Sequence, residues 1–300
     1  MGTTLDAFQL ARTKLGLDEL VDESLPTIYQ PVADWVAASH ALAERCVVIG
    51  VNGAQGSGKS TFCALLKPVL EELHQLKVAV LSIDDVYHTR ETRLRLSEDI
   101  HPLCQIRGVP GTHDVQLAIQ TIDALSASHE HSHVAIPRFD KASDDRKPAD
   151  HWDVAEGAID VILFEGWCVG AKSENNNTLK KTINLMEKLV DKKQIWRKYV
   201  NQQLKTKYKN LYSQLNCLIY LKAKNFRLLQ KWRLKQERKL WLKSKKNSKL
   251  KIMKRGDVIN FMQTYQRITQ NMFKNMPKYA SIIFNLNSHH QIKSAIYKNK

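Results

Sequence analysis

CVVIGVNGAQGSGKST (Cys46–Thr61) decides the fold. Its first six residues are apolar and β-branched without interruption, the pattern of a strand covered on both faces of a parallel sheet. Gly53-Ala54-Gln55-Gly56-Ser57-Gly58-Lys59-Ser60 then satisfies G-x-x-x-x-G-K-[ST] in full. The spacing has a mechanical meaning. Glycines let successive backbone N–H groups turn inward, and the helix that follows adds the positive end of its dipole. Lys59 is placed to reach the β- and γ-phosphates, the Ser60 hydroxyl to ligate Mg²⁺, and Thr61 to continue the cradle. The stretch predicts a nucleoside-triphosphate site. The base-recognition sequence N-K-x-D is absent, since Asn299-Lys300 ends the given sequence, which leaves ATP as the expected nucleotide.

Working outward, Val32–Arg45 has helical spacing ahead of the first strand, and Ser60–Leu76 reads as a helix after it. VAVLSI (78–83), HVAIP (133–137), AIDVILFEG (158–166), LIYL (218–221) and SIIFNL (281–286) read as further strands, with helices at 113–126, 195–212, 224–241 and 257–275 between them. Asp140–Asp153 reads as a polar loop, and KSENNNTLKKT (172–182) as a flexible surface connection. The alternation predicts an α/β fold with a mostly parallel, five-stranded sheet flanked by helices. Residues 1–43 are expected to pack on this core as a helical segment. Residues 44–300 are expected to form one domain, with a basic helical lid at about 223–256.

Two acidic features fall where strands should end, at the edge that forms the crevice of an open α/β sheet. Asp84, in SIDDVY (Ser82–Tyr87), can serve as general base to an attacking hydroxyl. Alternatively, Asp84 or Asp85 caps the next helix. Glu165 closes the apolar strand VILFEG and can hold Mg²⁺ directly or through water, or can stand exposed at a strand end.

Charge divides the chain. Residues 1–150 carry 14 basic and 21 acidic side chains, residues 151–300 carry 32 and 9, so the net +16 resides in the second half. Between Lys222 and Arg255 there are 15 basic residues and one acid, Glu237. Such a stretch faces water or anions. Five cysteines, odd in number and never as C-x-x-C, argue against a disulfide scaffold or a zinc knuckle. No apolar run approaches the roughly 20 residues of a membrane helix, and the first residues lack a leader pattern. A cytoplasmic, membrane-free protein is expected.

Five motifs in this order, Gly53–Ser60, SIDDVY, RGVPGTHD (Arg107–Asp114), PRFDKASDDR (Pro137–Arg146) and FEGWCVG (Phe164–Gly170), resemble the glycerate-kinase-like P-loop kinases. These are similar to uridine kinase, pantothenate kinase and phosphoribulokinase. WRKYVNQQL (196–204), WRLKQE (232–237) and FMQTYQRITQNM (261–272) extend the resemblance from about residue 44 onward. It implies phosphoryl transfer from Mg·ATP to a hydroxyl of a small acid, D-glycerate first. It places Asp84 at the general base and Tyr87, Phe139, Lys141 and Arg146 on the acceptor side. Arg138 and His113 are expected to add to a cationic pocket there, although Asp140 with Lys141 and Asp145 with Arg146 read equally as surface ion pairs. Arg233 is expected to be the lid arginine on the transferring group, against Arg227, Lys231 and Arg238 or a merely solvated helix face. Trp167 either walls the acceptor pocket or packs on the sheet. The resemblance leaves a nucleoside, pantothenate-like acid or sugar phosphate as alternative acceptors. A nucleic-acid-associated NTPase using the basic 222–255 stretch is the reading from another class, opposed by the lack of any RNA- or DNA-binding motif.

Overall fold

The structure is a computed structural model that describes residues 3–244 and 255–298. The chain begins with α1 (Thr4–Lys14) and α2 (Gln30–Ala43), followed by β1 (Val47–Gly53), α3 (Lys59–His74) and β2 (Val78–Ser82). Then come α4 (Arg90–Asp99), α5 (Val115–Ser126), β3 (His133–Ile136), β4 (Phe139–Asp140), β5 (Asp145–Arg146), β6 (Asp153–Glu156) and β7 (Val161–Gly166). The short α6 (Asn176–Leu179) and α7 (Leu185–Leu189) precede α8 (Ile195–Lys205), α9 (Lys207–Tyr212) and β8 (Cys217–Lys222). The last elements are α10 (Phe226–Ser244), α11 (Arg255–Asn275), β9 (Ile282–Leu286) and β10 (Ile292–Tyr297). Residues 245–254 of the basic stretch between Lys222 and Arg255 lie outside the described residues.

The main sheet has six strands in the order β10-β9-β8-β1-β7-β2, rather than the five expected. Five are parallel, and β10 adds an antiparallel edge. Every residue of β1 and β7 is buried, which is why their sequences are continuous apolar runs. Alternation persists underneath: Val48 belongs to one core, while Val47, Ile49 and Val51 belong to the other. Tyr29 links α2 to the face of α3, with Phe8 at 5.0 Å on one side and Phe62 at 5.4 Å on the other. Phe62 in turn meets Phe284 of β9 at 5.7 Å.

Two expectations fail. HVAI is not a strand of the main sheet, because β3 pairs antiparallel with β6 in a separate ribbon. Its exposure pattern fits that position, since only Ile136 is buried. Residues 172–182 are not a loose connection either. Leu179 is fully buried, and the Leu179 carbonyl accepts from Arg197 Nε at 2.7 Å. The Lys181 carbonyl accepts from Arg267 Nη2 at 2.6 Å. Both arginines are themselves paired below the surface, Arg197 with Asp191 at 2.8 Å and Arg267 with Glu187 at 2.7 Å. Their charge-assisted bonds order a segment whose own composition is turn-like.

Candidate active site

Because β1 lies between β7 and β8, strand order reverses beside it and a crevice opens at the carboxyl ends of the strands. The phosphate loop leaves β1, Asp84 follows β2, and Glu165 is the penultimate residue of β7. All three line one cleft of about 850 Å³. Gly58, at φ +90°, precedes α3 in the left-handed region, which a side chain rarely adopts. The Lys59 ammonium folds back toward the Ala54 carbonyl at 3.4 Å.

Ser60 Oγ donates to Glu165 Oε1 at 2.7 Å, and Glu165 is buried. A hydroxyl and a carboxylate, both hard oxygen ligands, meeting below a phosphate loop suit Mg²⁺, which binds few protein groups and keeps waters and phosphate oxygens. Glu165 is therefore not an exposed strand end.

Asp84 has both oxygens engaged. The Tyr87 hydroxyl donates to Oδ1 at 2.8 Å, and Lys141 Nζ donates to Oδ2 at 2.9 Å. Burial opposes the charge, but Lys141, Lys59 and the Tyr87 hydroxyl outweigh it and hold the carboxyl below the usual range. Neither aspartate is a helix cap. Ser82 accepts from the Asp84 amide, and Thr89 caps α4. Asp85 instead turns away from the cleft, taking Arg138 at 3.0 Å and the Phe139 amide at 3.2 Å.

The cationic pocket differs from the expected one. Lys141 lines the cleft, but Arg138, Arg146 and His113 do not. Arg138 is held by Asp85 and Asp153. Arg146 donates to the Tyr87 carbonyl at 2.9 Å and pairs with Asp114 at 3.1 Å. His113 lies behind Tyr87, stacked on it at 4.5 Å, with Nδ1 2.6 Å from the Tyr208 hydroxyl. Burial pushes its ring down to about 3, so it is neutral and adds no charge. Phe139 is buried beneath the cleft, edge-on to Tyr87 at 5.2 Å. The pairs proposed within PRFDKASDDR do not form, since Lys141 reaches Asp84 and Arg146 reaches Asp114.

In their place the cleft presents Arg90, Arg93 and Arg107, none of which the sequence had singled out. Arg93 is fully buried, donates to the carbonyls of His88, Gln105 and Asp144, and pairs with the Asp144 carboxylate. Arg107 pairs with the same carboxylate and keeps about a third of its surface open. Its position at the head of RGVPGTHD was a usable signal. Arg93 gave none, because RETRLRLSED has no apolar stripe to mark a buried side.

Trp167 both lines the cleft and packs. Its Nε1 donates to the Gly108 carbonyl at 2.6 Å, and its ring meets Tyr265 edge-on at 4.9 Å. Gly108 stands at φ +136°, and a β-carbon there would overlap the Tyr265 hydroxyl. Gly108→Ala is expected to lower stability by about 2 kcal/mol or more, through backbone strain and overpacking together. Urea denaturation checks this, and an unchanged midpoint would contradict the packing.

On the far wall Arg233 enters the cleft from α10, whereas Arg227, Lys231 and Arg238 do not. Its guanidinium pairs with the buried Glu237 at 2.5 Å, bonds Gln236 at 3.0 Å and lies over the Phe261 ring at 5.7 Å. A second cavity of about 1010 Å³ lies beside the first, with Gly58 and Thr61 lining both. Phe62 and Leu65 form one wall of it and residues 286–293 another. No helix among the described residues is long and apolar enough to cross a membrane.

No family profile matches the chain. A chloroplastic D-glycerate 3-kinase of Arabidopsis thaliana is 30% identical over 246 residues, which cover 77% of this chain and 51% of that protein. The chain thus spans about half the length of that relative. The kinase mug58 of Schizosaccharomyces pombe, whose own role is uncharacterized, is 29% identical over 229 residues, 74% of this chain and 79% of that protein. Among solved structures, a D-glycerate 3-kinase from Cryptococcus neoformans var. grubii superposes with a TM-score of 0.71 at 24% identity. The match covers 90% of this chain and 99% of that one.

Proposed function

The chain belongs to the glycerate-kinase-like P-loop kinases, and from that premise we propose that it transfers the γ-phosphoryl group of ATP to a hydroxyl of a small acid, D-glycerate first. One observation carries the proposal. Asp84 faces the cleft that Lys59, Ser60 and Glu165 line, and Lys141, Arg90 and Arg107 supply positive charge within it. A base, a phosphate cradle and an anion-binding wall in one cleft are what phosphorylation of an acidic alcohol requires.

In this reading the backbone of Gly53–Ser60 binds the phosphates, and the nucleotide base extends past Gly58 and Thr61 into the second cavity. Ser60 and Glu165 would hold Mg²⁺, which would supply charge neutralisation to the phosphates. Asp84 Oδ2 takes the proton of the acceptor hydroxyl as that oxygen bonds to the γ-phosphorus and the bond to the ADP oxygen breaks. Lys59 and Arg233 stabilise the charge that spreads over the phosphoryl oxygens. Tyr87, Lys141, Arg90 and Arg107 meet the acceptor. His113, Phe139, Arg138 and Arg146 hold that wall from behind.

The test is ADP release from Mg·ATP with D-glycerate, other hydroxy acids, nucleosides and pantothenate. A saturable rise with glycerate is expected, with no stimulation by polyanions. A nucleoside preferred over every acid would overturn the acceptor assignment. Salt-sensitive stimulation by nucleic acid would favour the polyanion-responsive reading instead.

A further inference from the structure

The base assigned above carries a cation on the oxygen it would use. An ammonium against a carboxylate oxygen takes one of its lone pairs and stabilises the charge that proton transfer would remove. Lys141 stands in that relation to Asp84 Oδ2.

The two partners of Asp84 differ in how firmly they are held. Tyr87 is buried, stacked on His113, edge-on to Phe139, and fixed through its carbonyl by Arg146. Lys141 follows the two-residue strand β4, with 62% of its side chain exposed. Asp84 is its ion-pair partner, and its ammonium ends a flexible four-carbon stem. Arg93 and Arg107 are already committed to Asp144. Of the cations of this wall that hold an ion pair, Lys141 is thus the one most able to change partner.

Resting on the acid-kinase reading, we propose that Lys141 is an exchangeable latch on the catalytic base. The anionic group of the acceptor draws the ammonium off Asp84 Oδ2, and the same movement seats the acceptor hydroxyl against the oxygen it releases. The proton then passes to Oδ2 as the new O–P bond forms and the bond to ADP breaks. Recognition of the acid and activation of the base become one event. A neutral alcohol of the same shape can occupy the cleft but leaves the base engaged, so it is penalised in kcat and not only in KM.

The test compares D-glycerate with its uncharged amide, glyceramide, on the wild-type chain and on Lys141→Met, whose exposed position allows folding. Wild-type kcat is expected to favour glycerate by about 10²-fold, the scale of one proton-transfer contribution. In Lys141→Met no ammonium holds Oδ2, so the amide kcat should rise to within a few-fold of the glycerate value. Equal proportional losses on both acceptors would overturn the latch, and so would an amide kcat still about 10²-fold below that of glycerate.

Calorimetric binding of D-glycerate, with a non-hydrolysable ATP analogue present, gives an arm independent of turnover. Asp84→Asn should tighten binding by about fivefold or more, because the lysine no longer has a rival partner. In the Lys141→Met background the same change should give no gain. Equal tightening in both backgrounds would mean simple repulsion between two carboxylates and would overturn the proposal. The two failures are distinguishable. If the wild-type chain turned over no acid, the acid-kinase reading would fall and take the latch with it. An active wild type with parallel losses in Lys141→Met would reject the latch alone.

Discussion

Arg233→Ala should lower kcat for acid phosphorylation by about 10³-fold or more, the scale on which a single arginine acts on a transferring phosphoryl group. The expectation rests on how the side chain is held. Glu237 and Gln236 fix the guanidinium and Phe261 lies beneath it, so its charge is aimed before the nucleotide arrives. Because the effect belongs to the transition state, KM for ATP should change little. Arg233→Lys should recover only a small part, since a point charge does not reproduce the planar fork. Arg238, exposed on the same helix, supplies the control, and its alanine variant should stay within about twofold of wild type. Equal losses at both positions would show that α10 contributes bulk charge and would sink the assignment.

Asp84→Asn is expected to cost about 10²–10⁴ in kcat, with nucleotide affinity retained. The amide keeps the carboxylate's shape and an oxygen for the Tyr87 hydroxyl, but it cannot take up a proton at neutral pH. Steady-state turnover beside titration with a fluorescent nucleotide separates the two effects. Turnover close to wild type would remove Asp84 from the base role. Loss of nucleotide binding would instead mean that the substitution disturbs the phosphate loop.

The parts of this site that were legible in the sequence are those whose chemistry is local. Gly53–Ser60 is read in eight consecutive residues, since backbone shape and side-chain chemistry are specified together. Asp84 and Glu165 are legible because apolar strands end on them. Arg146 and His113 show where that reasoning stops. Each lies in a conspicuous motif, yet one is spent on a backbone carbonyl and the other is a neutral ring behind Tyr87. Sequence marks such residues as special without saying which side of the wall they occupy. The buried cation Arg93 was invisible for the opposite reason, because two of its three carbonyl partners lie 12 and 51 residues away and its own helix carries no pattern. The β3–β6 ribbon was misread because a four-residue apolar stretch cannot declare its partner.

Phe8, Tyr29, Phe62 and Phe284 form a continuous row of rings, from the first helix through the one that carries Lys59 and Ser60 to a late strand. In kinetic terms this gives the nucleotide half a high contact order. The same is true of β1, whose Val51 waits for Glu165 and Ile219 before either edge is paired. Such closures across long stretches of chain are entropically slow. During synthesis, the helix behind the phosphate loop therefore keeps the side of Phe62 that meets Phe284 uncovered until that residue has been made, and the growing chain has a long window in which it can aggregate.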